Sequence, residues 1–201
     1  MKFIASLTLA ALAVAGFAQV ASAQQQKTYT INVSKDSTIL RAPGACSSCP
    51  EGDCNRCTRG GESTLDVQAG LRVLSTAILG FTLPSEATQA PDRLDNCQLL
   101  LPNSLTSLQQ PLTLNIFSAD PFWDEYSVTA NNAPAYGSQI GQVTVPVWNG
   151  MPAAVDLTAA CKAAAAKGTG FTVYLTPPGT GYVQFPSKEA GRPAALRATV
   201  H

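Results

Sequence analysis

Histidine is almost missing from this 201-residue chain; its one copy, His201, is the last residue. A Ser-His-Asp or Cys-His site needs an imidazole held by its neighbours, which a fraying chain end does not provide. Zinc hydrolysis is excluded on the same ground, for want of ligands. Charge is scarce as well. Lys plus Arg number 13 and Asp plus Glu number 13, without the basic clusters that nucleic acid or anionic lipid requires. After the first two dozen residues, no apolar run approaches the roughly 20 residues that cross a bilayer. There is no internal repeat and no linker dividing the chain into two domains.

What is present begins with a leader. Met1-Lys2-Phe3 carries one positive charge, Ile4 to Val20 is apolar apart from Ser6, Thr8 and Gln19, and Ala21-Ser22-Ala23 is a small-x-small triplet. This is the pattern of a secretory signal peptide over residues 1–23, with Gln24 as the mature N-terminus. It predicts a secreted, extracellular protein that keeps no membrane attachment, since Gln24-Gln25-Gln26 is no stop-transfer flank. Removing the leader takes away Lys2 alone among charged residues and leaves a nearly neutral chain. Residues 24–201 suffice for one domain with a real core, expected to be a monomer.

Six cysteines in an exported chain imply disulfides. Four of them, Cys46, Cys49, Cys54 and Cys57, form two C-x-x-C pairs only four residues apart. Zinc ribbons separate their halves by a dozen residues or more, so two local disulfides are favoured over a metal knot, with their connectivity open. The segment 41–61 is rich in Pro, Gly and Ser and reads as a stapled loop inserted between strands. Cys97 and Cys161, left over from the cluster, are expected to pair. Asn32-Val33-Ser34 is a glycosylation sequon.

Apolar residues recur at every second position in short runs bounded by Gly, Pro or Asn, as strands require. Tyr29-Ile31-Val33, Leu112-Leu114-Ile116 and Val143-Val145-Val147 show it, as do Phe171-Val173-Leu175, Val183-Phe185 and Leu196-Ala198-Val200. With Leu65-Val67, Val73 to Leu83 and Cys97 to Leu101, about nine strands are expected. The fold class predicted is all-β, an antiparallel, jelly-roll-like β-sandwich. One short Ala-rich helix is expected over Thr158 to Gly168, with Thr158 or Asp156 capping its start and Gly168 ending it.

Three patches, taken in order, carry a resemblance. Lys35-Asp36-Ser37-Thr38-Ile39-Leu40, followed by Gly60-Gly61-Glu62-Ser63-Thr64-Leu65-Asp66-Val67, is the first. Trp123-Asp124-Glu125-Tyr126-Ser127-Val128-Thr129-Ala130-Asn131-Asn132-Ala133-Pro134 is the second and most specific, and Phe185-Pro186-Ser187-Lys188-Glu189-Ala190-Gly191-Arg192-Pro193 is the third. Together they resemble carbohydrate-binding module family 96, the DNRLRE domain, whose members read W-x-E-x-x-V-T-W-N-N-x-P and then S-x-E-x-x-x-x-P. Ala130 stands where the family has a second Trp, the Cys46 to Cys57 loop is an insertion, and the strand after Leu71 lacks the family's arginine-rich start. The resemblance implies a β-sandwich that binds polysaccharide, in some members with an ion near loop carboxylates.

Sugar binding needs aromatic faces to stack on pyranose rings, with amides and acids nearby. Trp148, Tyr136 and Tyr182, each beside turn residues, are the candidate contacts; partial burial at the sandwich rim is the alternative for each. Trp123 reads as a buried anchor, and Ser127-Val128-Thr129 as a turn leading into a strand. Ser187 and Glu189 read as satisfying backbone groups before Pro193 rather than binding calcium. No cofactor is expected, and the identity of any metal is open. Asp120, Asp124, Glu125, Asp156 and Glu189 keep glycoside hydrolysis open as a minor reading, because two carboxylates can perform it without histidine. A secreted structural or interaction protein is the other alternative to a non-catalytic module.

Overall fold

Each alternating run becomes a strand. A computed structural model describes residues 25–201, and the expected leader with its Gln24 junction lies outside them. The strands are β1 (Lys27–Asn32), β2 (Lys35–Arg41), β3 (Thr64–Ala69), β4 (Leu74–Phe81), β5 (Leu94–Leu100), β6 (Leu112–Ala119), β7 (Tyr136–Val145), β8 (Val155–Asp156), β9 (Phe171–Thr176), β10 (Gly181–Pro186) and β11 (Ala195–Val200). They build two antiparallel sheets, ordered β1-β11-β5-β8 and β10-β3-β4-β9-β6-β7, with β2 added along β4. The fold is an all-β sandwich. Its first and last strands pair, Lys27 opposite Val200 and Asn32 opposite Ala195.

The inner faces supply the main core. Leu79, Ile116, Val173 and Phe185 of the larger sheet and Leu99, Leu196 and Ala198 of the smaller one lie in a single buried cluster. Each such Leu, Ile or Phe stabilises the fold by about 1.5–3 kcal/mol relative to exposure. Strand β9 departs from simple alternation because it is buried at all six positions. Its second face meets a smaller cluster of Ile39, Ile78, Val128 and Tyr174, flanked by Phe117, Trp123, Ala130 and Ala133. The cover on that outer face is the segment 121–135, which crosses the larger sheet as a strap of turns. Val128 is anchored there without the strand expected around it, and the Tyr174 hydroxyl donates to Pro134 O over 2.8 Å.

Two strands, β2 and β8, exceed the nine expected. β2 is buried although it reads Lys-Asp-Ser-Thr-Ile-Leu-Arg: Asp36, Ser37 and Thr38 are at most 1% exposed. Periodicity could not reveal it, because its burial depends on partners that arrive from distant segments. β8 has only two residues. A second helix, α1 (Ser85–Gln89), joins the expected one, α2 (Thr158–Ala166).

At the start of α2 the two residues expected as caps take other roles. Asp156 Oδ1 accepts from the Thr158 amide at 2.9 Å, while the Thr158 hydroxyl accepts from Cys97 N on β5 and so ties the helix to the sheet. Neither is the N-cap, a position that Leu157 takes without a side-chain bond; Asp156 instead holds the first helical amide from one residue further back, and Thr158 is the tether. Hydrogen bonds to Thr158 hold the Asp156 carboxyl below the usual carboxylate range. At the other end Gly168 takes φ 63°, with its amide donating to Ala165 O and the Thr169 amide to Ala164 O. These two bonds make a Schellman stop.

The six cysteines form three disulfides. Cys46 bonds Cys54 and Cys49 bonds Cys57, so the pairing crosses between the two C-x-x-C halves. Cys97 on β5 bonds Cys161 on α2 across 64 positions. Loop-closure entropy assigns that bridge about 4 kcal/mol. Replacing both with Ala is expected to lower the unfolding free energy by about that amount in urea titrations, with the β-sheet circular dichroism retained.

Candidate functional site

The three sequence patches converge on one point. β2 presents Asp36, the strap presents Glu125, and the turn after β10 presents Glu189; a carboxylate oxygen from each lies within 4.8 Å of the others. Asp36 and Glu125 are buried, and Glu189 reaches in from the surface. Among the described residues β2 is ladder-paired with β4 alone, and β3 reaches it through the Asp66 amide, which donates to Thr38 Oγ1 at 2.9 Å. On the side away from β4, Glu125 Oε1 accepts from the Asp36 amide at 2.8 Å, so a side chain closes an edge that would otherwise leave a buried donor unmade. Asp36 Oδ2 accepts from the Lys188 amide at 2.9 Å. Asp36 Oδ1 is buried with no hydrogen-bond partner among the described residues.

One ammonium enters this cluster. Lys188 Nζ lies 3.1 Å from Glu125 Oε2 and also pairs with Glu189 Oε1. Lys35 is engaged elsewhere, donating to Pro121 O and Trp123 O at 2.7 and 2.6 Å with its Nζ 4.5 Å above the Trp123 ring. Trp123, expected as a buried anchor, is half-buried, clamped on one face by Lys35 and tied through Nε1 to Thr172 Oγ1 at 3.2 Å. Burial is the main cause that lifts the Asp36 carboxyl to about 7, reinforced by the negative charges of Glu189 and Glu125. Ser187 behaves as expected, accepting from Glu189 N at 3.2 Å and donating to Glu62 O at 2.7 Å. Glu189 does more, because its carboxylate joins the cluster.

The resemblance implies, in some members, an ion near loop carboxylates, and these residues fit one. Three carboxylates offer hard oxygen donors that converge, and one of them, Asp36, has a buried oxygen with no hydrogen-bond partner among the described residues. Asp36, Glu125 and Glu189 would hold it, and the ion would supply positive charge joining three segments. Asp36 and Lys188 escaped sequence reasoning as site residues. The available signal was that each of the three patches contributes one acid.

The candidate aromatics are not brought together. Tyr136 opens β7 and Trp148 lies three residues beyond its end, about 30 Å away along the strand. Tyr182 is in β10, at the other end of the sheet order. Tyr136 and Tyr182, expected in loops, both belong to strands. Tyr182 donates to Asp66 Oδ1 at 3.2 Å. The Tyr136 ring meets Tyr174 edge-on at 4.5 Å, with Arg41 5.6 Å from its centre. Trp148 and Asn149 both take φ 57° in a tight turn, and Trp148 stays two-thirds exposed.

A cleft of about 530 Å³ opens beside Tyr136, between α2 and the adjoining ends of β6 and β7. Its existence follows from missing side chains: the helix contributes only the methyls of Ala160, Ala163 and Ala164, and Gly137 and Gly170 lie opposite. At Gly137 a Cβ would come within 2.5 Å of Ser118 Oγ. Phe122, 81% exposed, lines the cleft together with Asp120 and Lys167. An aromatic face beside an acid, a base and hydroxyls is the donor set that a saccharide uses, and the volume suits a small ligand.

A sequence model of carbohydrate-binding module family 96 matches residues 51–199, and the chain belongs to this family. An uncharacterized secreted protein of Arthroderma benhamiae is 33% identical over 199 residues, which cover 98% of this chain and 97% of that one. Among the described residues no helix is long and apolar enough to cross a membrane.

Asp36 titrates higher in the folded chain than unfolded, so its penalty is absent below about pH 4 and complete above about pH 7. In chelator-treated protein, stability should therefore fall by a few kcal/mol as pH rises through that window, and Asp36→Asn should flatten the slope of melting temperature against pH. At Gly60 a Cβ would sit 2.0 Å from Glu125 O. Gly60→Ala should displace the strap and destabilise the fold by about 2 kcal/mol in denaturant titrations.

Proposed function

We propose that this protein is a secreted, non-catalytic module that holds an extracellular or cell-wall polysaccharide, with the cleft between α2 and the β6–β7 ends as its principal site. The observation that carries this reading is the family match across residues 51–199, which takes in every residue named around the cleft. Phe122 offers a free aromatic face, Tyr136 a rigid wall, and Asp120, Lys167 and Ser138 the polar groups for sugar hydroxyls. The secreted relative supports export, as does the leader pattern. On this reading residues 24–201 act as one monomeric domain. Asn32, exposed at the end of β1, carries the glycan.

The acids support a binding role. Asp120, Asp124 and Asp156 accept from the Phe122, Tyr126 and Thr158 amides. Glu125 and Glu189 are engaged by Lys188. A hydrolytic pair would have to face a glycosidic bond in an open cleft, whereas Glu125 is 7% exposed beneath the strap.

The test is retention on insoluble glucans, chitin and acidic polysaccharides. Phe122→Ala and Tyr136→Ala should each weaken binding about tenfold, the loss of one stacking face. Release by Trp148→Ala or Tyr182→Ala alone would move the site away from the cleft. Reducing-sugar production that Glu125→Gln abolishes would replace the module with an enzyme. Absence of binding to every glycan, together with capture of a protein partner that depends on residues 46–57, would favour an interaction protein.

A further inference from the structure

The cluster at Asp36, Glu125 and Glu189 contains its own cation. Ionised, the three acids carry three negative charges and Lys188 returns one positive. The two charges left over, and the unpartnered Asp36 oxygen, match one divalent cation. Yet the ammonium already bonds Glu125 and Glu189, which such an ion would have to use. Oxygen contacts of a hard divalent ion are about 2.3–2.6 Å long, so ion and ammonium would lie within a few ångströms of each other and repel.

The position of Lys188 permits exchange. Its amide is fixed on Asp36 Oδ2, which holds the base of the side chain beside the cluster in either state. The side chain is 23% exposed, and its Nζ lies 5.8 Å from the ring of Tyr126, itself 65% exposed. The ammonium can thus swing into water along its flexible four-carbon stem without opening the core.

We propose that Lys188 is a tethered rival of a calcium-class cation, holding the strap to β2 and to the turn after β10 when the ion is absent and yielding its place when the ion arrives. Beyond its bond from the Asp36 amide, Glu125 is joined to the sandwich through an ammonium in one state and through the metal in the other. The carboxylates provide the site, and Lys188 sets the ion concentration at which it fills. The exchange requires no bound saccharide.

The experiment uses the full mature chain, stripped with EDTA and titrated with calcium chloride, with magnesium chloride in parallel. Thermal melting is one readout, and terbium luminescence sensitised through Tyr126 and Trp123 is the other. Calcium should raise the wild-type melting temperature. Lys188→Met should melt lower in EDTA and half-saturate at about tenfold lower calcium, the coupling expected when a competing charge is removed. Asp36→Asn should abolish the calcium response with or without Lys188. Half-saturation at the same concentration in wild type and Lys188→Met, or no response in either, overturns the proposal. If Lys188→Met does not fold in EDTA, Lys188→Gln is read in the same way. Folding of either variant on calcium addition supports the proposal, and failure of both to fold at any calcium concentration overturns it.

Discussion

The strap on the outer side of the larger sheet is fastened to the sheet's edge by one bond, from the Asp36 amide to the Glu125 carboxylate. β2 runs along β4 as an edge, and an edge amide buried without an acceptor costs about 1–3 kcal/mol. Glu125 supplies the acceptor and thereby brings the strap down over Ile39, Ile78 and Tyr174. The strap then buries the second face of β9 and places Phe122 beside the cleft. A polar contact at the edge and an apolar cluster in the middle thus hold the same segment in place.

The site and the cleft use opposite devices. At Asp36, Glu125 and Glu189, charged groups are crowded together and held by Lys188, so the geometry is tight and its balance depends on counter-charge. In the cleft, the side chains are small and the geometry is open. Helix α2 is pinned by the Cys97–Cys161 bridge and by the Thr158 tether, which lets an alanine face stand off from the β6–β7 ends without collapsing onto them. A rigid scaffold that omits one layer of side chains makes room for a ligand without any rearrangement.

Much of the sandwich was legible in the residues, because one buried face imposes period two on a strand wherever it lies in the chain. The end of the Ala-rich helix was legible for a local reason as well: Gly168 tolerates the left-handed φ that stops it. β2 was not, since Asp36, Ser37 and Thr38 look like solvent residues until Glu125, Lys188 and Asp66 reach them. Tyr136 and Tyr182 look like loop residues because neighbouring glycines resemble turn signals, although Gly137 and Gly181 lie in strands where close neighbours leave no space for a side chain.

The sequence by itself determined the fold class, the helix and its stop, and the family, since each rests on patterns within a few neighbouring positions. It also contained every acid of the cluster, one in each patch. Only the tertiary structure decided that these acids meet, that the cysteines of the loop pair across their two halves, and that Tyr136, Trp148 and Tyr182 stand far apart. Those outcomes depend on distances between segments up to about 150 residues apart, as from Asp36 to Lys188, and such distances arise from sheet order and register.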